Sequence, residues 1–274
     1  MSSNLACIGL AVDDDSALNA LVSAVLPRGV LVGRADGIDV VRWEDPSGAR
    51  LVFALKDKRV IDFLPSLSSR PGARLASVRA SNASVATAAV VDEDGEQLTS
   101  VAVELEQRQF LGRSADLNGP AAIIAFGRAV TVHESAEAFA AADDSLLDPD
   151  ADRDAAPPPH YAERGWPWPP RVAAESFFSH GVFGDPDQAV ATAQMAGVVS
   201  ESARRVVVET GQSFGVARVR TAGFEADVCL DARTHPTVPS SGAIISGTVF
   251  LVASIEALEP GPESTRRRFS RRRR

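Results

Sequence analysis

The sequence predicts an α+β protein of two strand-rich modules: an antiparallel meander with one helix, then helices with a small sheet or barrel. Three observations carry that reading. Short apolar runs recur between turn-forming residues such as Asp36-Gly37, Pro46-Ser47-Gly48 and Asp92-Glu93-Asp94-Gly95. Val101, Val103 and Leu105 alternate with Ala102 and Glu104, the period of a strand with one buried face. An acidic, proline-rich stretch at 143–170 parts the runs into two groups. The 274 residues suit one large domain or two ordinary ones. The expected units are residues 1–142, a linker at 143–170, residues 171–262 and an arginine-rich tail at 263–274.

The elements are expected in the following order. Residues 5–12 read as a buried strand, and Asp13 to Ser16 offer cap chemistry for a helix carrying Leu18, Leu21, Val22 and Val25. Pro27 and Gly29 stop that helix. Strands follow at 30–35, 38–43, 51–55, 60–64, 85–91 and 98–105, and a buried strand at 121–132 closes the module. In the linker, Pro157 to Pro159 and Trp166-Pro167-Trp168-Pro169-Pro170 favour extended backbone. The second module opens with a helical stretch at 173–178 and a helix at 185–196 begun by Asp185-Pro186. Strands at 214–220, 222–230 and 243–255 complete it, with Gly247 marking a bend in a barrel of the OB sort. A short echo joins the modules: Ala121-Ala122-Ile123-Ile124 and Gly242-Ala243-Ile244-Ile245.

Composition narrows the class. Seven arginines (Arg266, Arg267, Arg268, Arg271, Arg272, Arg273 and Arg274) end a chain of net charge −8. Without residues 265–274 there remain 21 basic and 36 acidic residues, a net charge of −15. The tail is a candidate contact for an anionic partner, nucleic acid included, or for the protein's own acidic linker. A body of that charge repels nucleic acid, so an unidentified protein or other anionic partner is the preferred expectation. Cys7 and Cys229 lack disulfide or zinc spacing and read as small buried hydrophobes. No apolar stretch approaches the ~18 residues of a membrane span, and the expected location is cytoplasmic.

Chemistry-bearing motifs are sparse. Asp148, Asp150 and Asp152 resemble the start of a calcium loop, but Arg153 stands where glycine is needed and Pro159 where a bidentate glutamate is needed. Glycine-rich phosphate loops are absent from the sequence. Three side chains are weighed for a site. Glu175 and His180 lie close to Ser179 in sequence, and His235 precedes a proline in a loop. On the second module, Phe214, Arg218, Arg220 and Phe224 are possible ingredients of a nucleic-acid face, though strand phenylalanines more often serve a core. No catalytic, cofactor or metal residue is assigned.

Cys7-Ile8-Gly9-Leu10-Ala11-Val12-Asp13-Asp14, a helix, and strands broken at Asp36-Gly37 and Asp45-Pro46-Ser47-Gly48 carry a family resemblance. Over residues 5–65 this resembles the β-α-β-β-β unit of glyoxalase-like (vicinal oxygen chelate) proteins. The resemblance implies that fold, and a small-molecule binder or enzyme using its cleft. Metal-using members place a histidine where Cys7 stands, and Glu44 is the nearby acidic candidate, so a metal is not implied. The leading expectation is a non-enzymatic binding or interaction module with a basic C-terminal tail. The glyoxalase-like binder is the alternative.

Overall fold

Asp14 begins the one long helix among the described residues. Its carboxylate accepts the Ala17 amide proton at 2.8 Å, and α1 (Asp15–Val25) then buries Leu21 and Val25. A computed structural model of the chain describes residues 2–112, 114–148, 150 and 155–260. After α1 comes an antiparallel sheet in the order β1 (Val30–Ala35), β2 (Ile38–Glu44), β3 (Ala49–Lys56), β4 (Arg59–Leu67). Both outer hairpins turn on two residues of positive φ, Asp36-Gly37 and Asp57-Lys58, which match the twist of the flanking strands.

The remaining strands form one nine-stranded sheet: β5 (Ala73–Ala80), β6 (Val85–Val91), β7 (Gln97–Leu105), β8 (Ser114–His133), β9 (Ser176–Ser179), β10 (Thr192–Val206), β11 (Ser213–Thr221), β12 (Phe224–Asp231) and β13 (Ile244–Ser254). It closes twice. β5, β6, β7, β13 and β8 make one ring, and β10, β11, β12, β8 and β13 make another. Each ring holds four antiparallel pairings and one parallel pairing, β7 with β13 or β12 with β8. A circuit of cross-strand partners returns to its starting strand displaced by about eleven or twelve residues in both rings. The two rings are therefore barrels of one size and tilt, and β8 and β13 belong to both. The echo at 121–124 and 242–245 falls on this shared ribbon.

One face of the ribbon carries Ala121, Ile123, Ile245 and Leu251 into a core continuous through both barrels. The other face presents Ala122, Ile124, Phe126 and Val252 to a second core. Trp43, Leu51, Phe53 and Leu67 of the small sheet enter it with Cys7, Ile8 and Leu10. Both layers exclude water, which is the main stabilising term. Short helices α2 (Arg108–Leu111), α3 (Ala136–Ala141) and α4 (Pro159–Arg164) lie between or after strands.

Strand makes up 48% of the chain and helix 18%, so the α+β expectation holds in a mostly-β form. Three local expectations are corrected. Residues 5–12 are not a strand: Ala6–Ile8 is a 3-10 turn closed by Gly9 at φ 70°. The stretch near 173–178 is not helical but carries β9, and the helix expected at 185–196 is a 3-10 turn, Pro186–Gln188, followed by β10. In all three, pairing or packing with distant residues overrides local propensity. Strands on either side of residues 143–170 share the one sheet, because β13 pairs with β8 along its whole length. No helix among the described residues is long and apolar enough to cross a membrane.

Candidate functional site

A groove of about 450 Å³ lies on the outward face of β5, β6 and β7. A bulge in β5 builds it. Register shifts between Ala76 and Arg79, and Ser77 takes a φ of 53°. Val78 stays buried while Ser77 and Arg79 both turn outward. Opposite Arg79 stands Thr87, whose hydroxyl lies 3.2 Å from that of Ser81. Gln97 donates to the Ser100 hydroxyl at 2.9 Å.

The far wall is the chain at 181–186. Asn82 fastens it, with Nδ2 2.9 Å from the Ala189 carbonyl and its Oδ1 accepting the Ser84 and Val85 amides. The buried Ser179 hydroxyl accepts the Ala102 amide at 2.9 Å. Gly181 has no room for a Cβ, which would collide with the Val190 carbonyl and the Ala102 methyl. No carboxylate lines the groove among the described residues. Asp185, the nearest acid in that wall, is turned into a cap and accepts the Asp187 amide at 3.0 Å. Arg79 forms no hydrogen bond or ion pair with any described residue. Its five N–H donors face solvent among hydroxyls.

The second barrel has its counterpart, a cavity of about 290 Å³ over β10, β11 and β12. Its wall is the chain at 68–70. Here the cation is tied down. Arg218, 2% exposed, donates to Glu225 at 3.0 Å, to Asp227 at 3.5 Å, and to the Arg70 and Pro71 carbonyls at 3.2 and 3.1 Å. Ser69 donates to Asp227 at 2.6 Å, Arg70 pairs with Glu201, and Arg205 donates to the Ser47 carbonyl at 3.0 Å. Beside it, buried Asp45 joins the β2–β3 turn to the β10–β11 turn by accepting the Ser47, Val208 and Glu209 amides. Burial pushes its carboxyl up. The Ser47 hydroxyl and those amides outweigh burial and hold it below the usual 3.8.

The residues singled out in the sequence are not brought together. Glu175 pairs with Arg220 through both oxygens, at 2.9 and 3.1 Å. His180 Nδ1 lies 3.2 Å from the Thr192 hydroxyl. With Ser179 committed to Ala102, the three form no catalytic chain. His235 donates from Nε2 to the Val130 carbonyl at 3.2 Å, while Nδ1 faces Thr234 at 2.9 Å, so it braces a loop. Arg218, Phe214 and Phe224 are buried, and Arg220 is taken by Glu175, so they form no nucleic-acid face. The tail candidates Arg266, Arg267, Arg268, Arg271, Arg272, Arg273 and Arg274 lie outside the described residues, as does Asp152.

Cys7 and Cys229 are both buried. Burial pushes the Cys7 thiol up to about 12 and raises Cys229 well above its ordinary value, so neither is a nucleophile near neutral pH. Glu44 pairs with Arg50 at 2.7 Å. Among the described residues no three His, Cys, Asp or Glu side chains are placed to hold a metal.

Sequence reasoning passed over Arg79 and its hydroxyl neighbours. A signal existed: residues 63–91 contain no Asp or Glu, in a chain with 36 of them. No family model, curated protein or solved structure matches this chain.

Proposed function

We propose that the protein is a non-enzymatic binding module that holds a small anionic molecule in the outward groove of its first barrel. The observation that supports this is Arg79, a guanidinium with no partner among the described residues, set among hydroxyls in a groove that no described carboxylate lines, on an acidic chain. An anionic oxygen there accepts charge-assisted hydrogen bonds, which are stronger than those between neutral groups. The Ser77, Ser81 and Thr87 hydroxyls supply further donors. Asn82 and Gly181 fix the wall before the ligand arrives, so little ordering opposes binding. The arginine tail would add a second, salt-sensitive contact to an anionic partner.

Calorimetric titration of the full chain with inorganic phosphate and with ribose 5-phosphate tests the reading. Saturable one-to-one binding is expected, lost in Arg79→Ala with unchanged thermal stability. Absence of binding at millimolar ligand in low salt contradicts it.

A further inference from the structure

Arg79 occupies one end of the first groove, and the other end carries a different chemistry. Cross-strand register places Thr87 opposite Arg79 and Ser100 opposite Ala89, two residues further along β6. Arg79 on β5 and Ser100 on β7 therefore stand on strands two spacings apart, about 10 Å. The small Ala89 lies between them and lines the floor. Gln97 Nε2 donates to the Ser100 hydroxyl at 2.9 Å, which leaves that hydroxyl free to donate its own proton and Gln97 Oε1 free to accept one. The Ser81 and Thr87 hydroxyls, 3.2 Å apart, use one proton between them and keep the other. A phosphate dianion only accepts, and one seated on Arg79 is too short to span both ends. A ligand hydroxyl both donates and accepts, as these pairs do. Among the described residues no aromatic ring lines the groove, so nothing on its floor suits a planar ring.

We infer that the groove's ligand is a sugar phosphate, its phosphate on Arg79 and its hydroxyls on the Gln97–Ser100 pair; this rests on the anion-binding reading above. The groove's volume of about 450 Å³ lies in the range of small-molecule sites, roughly 300–1,000 Å³. Gln97 is exposed, so a phosphate ester without hydroxyls leaves that end hydrated and not stranded. The hydroxyls therefore add a modest preference to an affinity that Arg79 anchors.

The test is calorimetric titration of the full chain with ribose 5-phosphate and with butyl phosphate, an ester of the same charge that carries no hydroxyl, repeated on the double variant Gln97→Ala, Ser100→Ala and on Arg79→Ala. Ribose 5-phosphate is expected to bind the wild type on the order of ten-fold more tightly than butyl phosphate, as one or two net hydrogen bonds provide. The double variant should bring ribose 5-phosphate down to the affinity of butyl phosphate, and Arg79→Ala should abolish binding of both. Equal affinity for the two esters in the wild type, with both lost in Arg79→Ala, overturns the sugar assignment and leaves the anion site standing. A ten-fold preference that persists in the double variant overturns the placing of the hydroxyls on Gln97 and Ser100. Failure of both esters to bind the wild type overturns the two readings together.

Discussion

The two barrels have matching outward grooves, each walled by the chain segment that leads into the other barrel, yet their cations are treated in opposite ways. Over the second barrel Arg218 is buried between two carboxylates and two carbonyls, and its groove works as a joint that fixes the chain at 70–71. Over the first barrel Asn82, a neutral amide, fastens the wall, and Arg79 has no acceptor among the described residues. A buried cation is retained when its partners neutralise it, and an exposed one in a concave site stays available to a ligand. One barrel architecture thus yields a structural joint in one barrel and a candidate site in the other.

The largest effect that sharpens this contrast is expected from Arg218→Ala. It leaves Asp227 with only the Ser69 hydroxyl and takes the guanidinium from the Arg70 and Pro71 carbonyls, and urea unfolding should show a loss of about 3 kcal/mol or more. Arg79→Ala should change stability by less than about 0.5 kcal/mol, as an exposed side chain without partners does. Equal losses in the two variants would erase the distinction. Next is Gly181→Ala, whose methyl collides with the Val190 carbonyl. Overpacking there should cost about 1–3 kcal/mol and weaken phosphate binding, because the same residue shapes the groove wall.

A smaller effect concerns acid. The folded carboxyl of Asp45 lies below its ordinary value of 3.8. Its stabilisation is therefore fully present above that value and is lost as pH falls through the lower, folded one. Stability measured from pH 6 down to pH 2 should fall less steeply in Asp45→Asn than in the wild type. Parallel curves would remove Asp45 from the joint. Smallest in its bearing on the barrels is deletion of residues 265–274. Stability should be unchanged, while retention on heparin at low salt should be lost. Full retention by the shortened chain would assign that contact to the body.

Much of the strand content was legible because its signals are local. Asp36-Gly37 and the alternation of Val101, Val103 and Leu105 mark β1, β2 and β7 by turn chemistry and period alone. β10 was not legible: Ala, Gln, Met, Glu and Arg favour helix, and the strand exists because β11 and β13 supply both its edges. Residues 5–12 misled for the converse reason. Their apolar side chains are buried, but by packing between the small sheet and the barrels, with no strand beside them. Closure of the barrels was out of reach, since it depends on β8 pairing with residues more than a hundred positions away. The groove was half legible. The acid-free run at 63–91 is plain in the sequence, but the bulge that turns Ser77 and Arg79 to one side is a property of register with β6 and β8.

The central claim, that only the first groove is free to take an anion, is tested most directly by mapping amide shifts in a phosphate titration of the wild type, Arg79→Ala and Arg205→Ala. The account predicts saturable shifts at Ser77 to Ser81 in the wild type and in Arg205→Ala, and none in Arg79→Ala. Shifts centred on Glu201 to Arg205 that survive Arg79→Ala would contradict it.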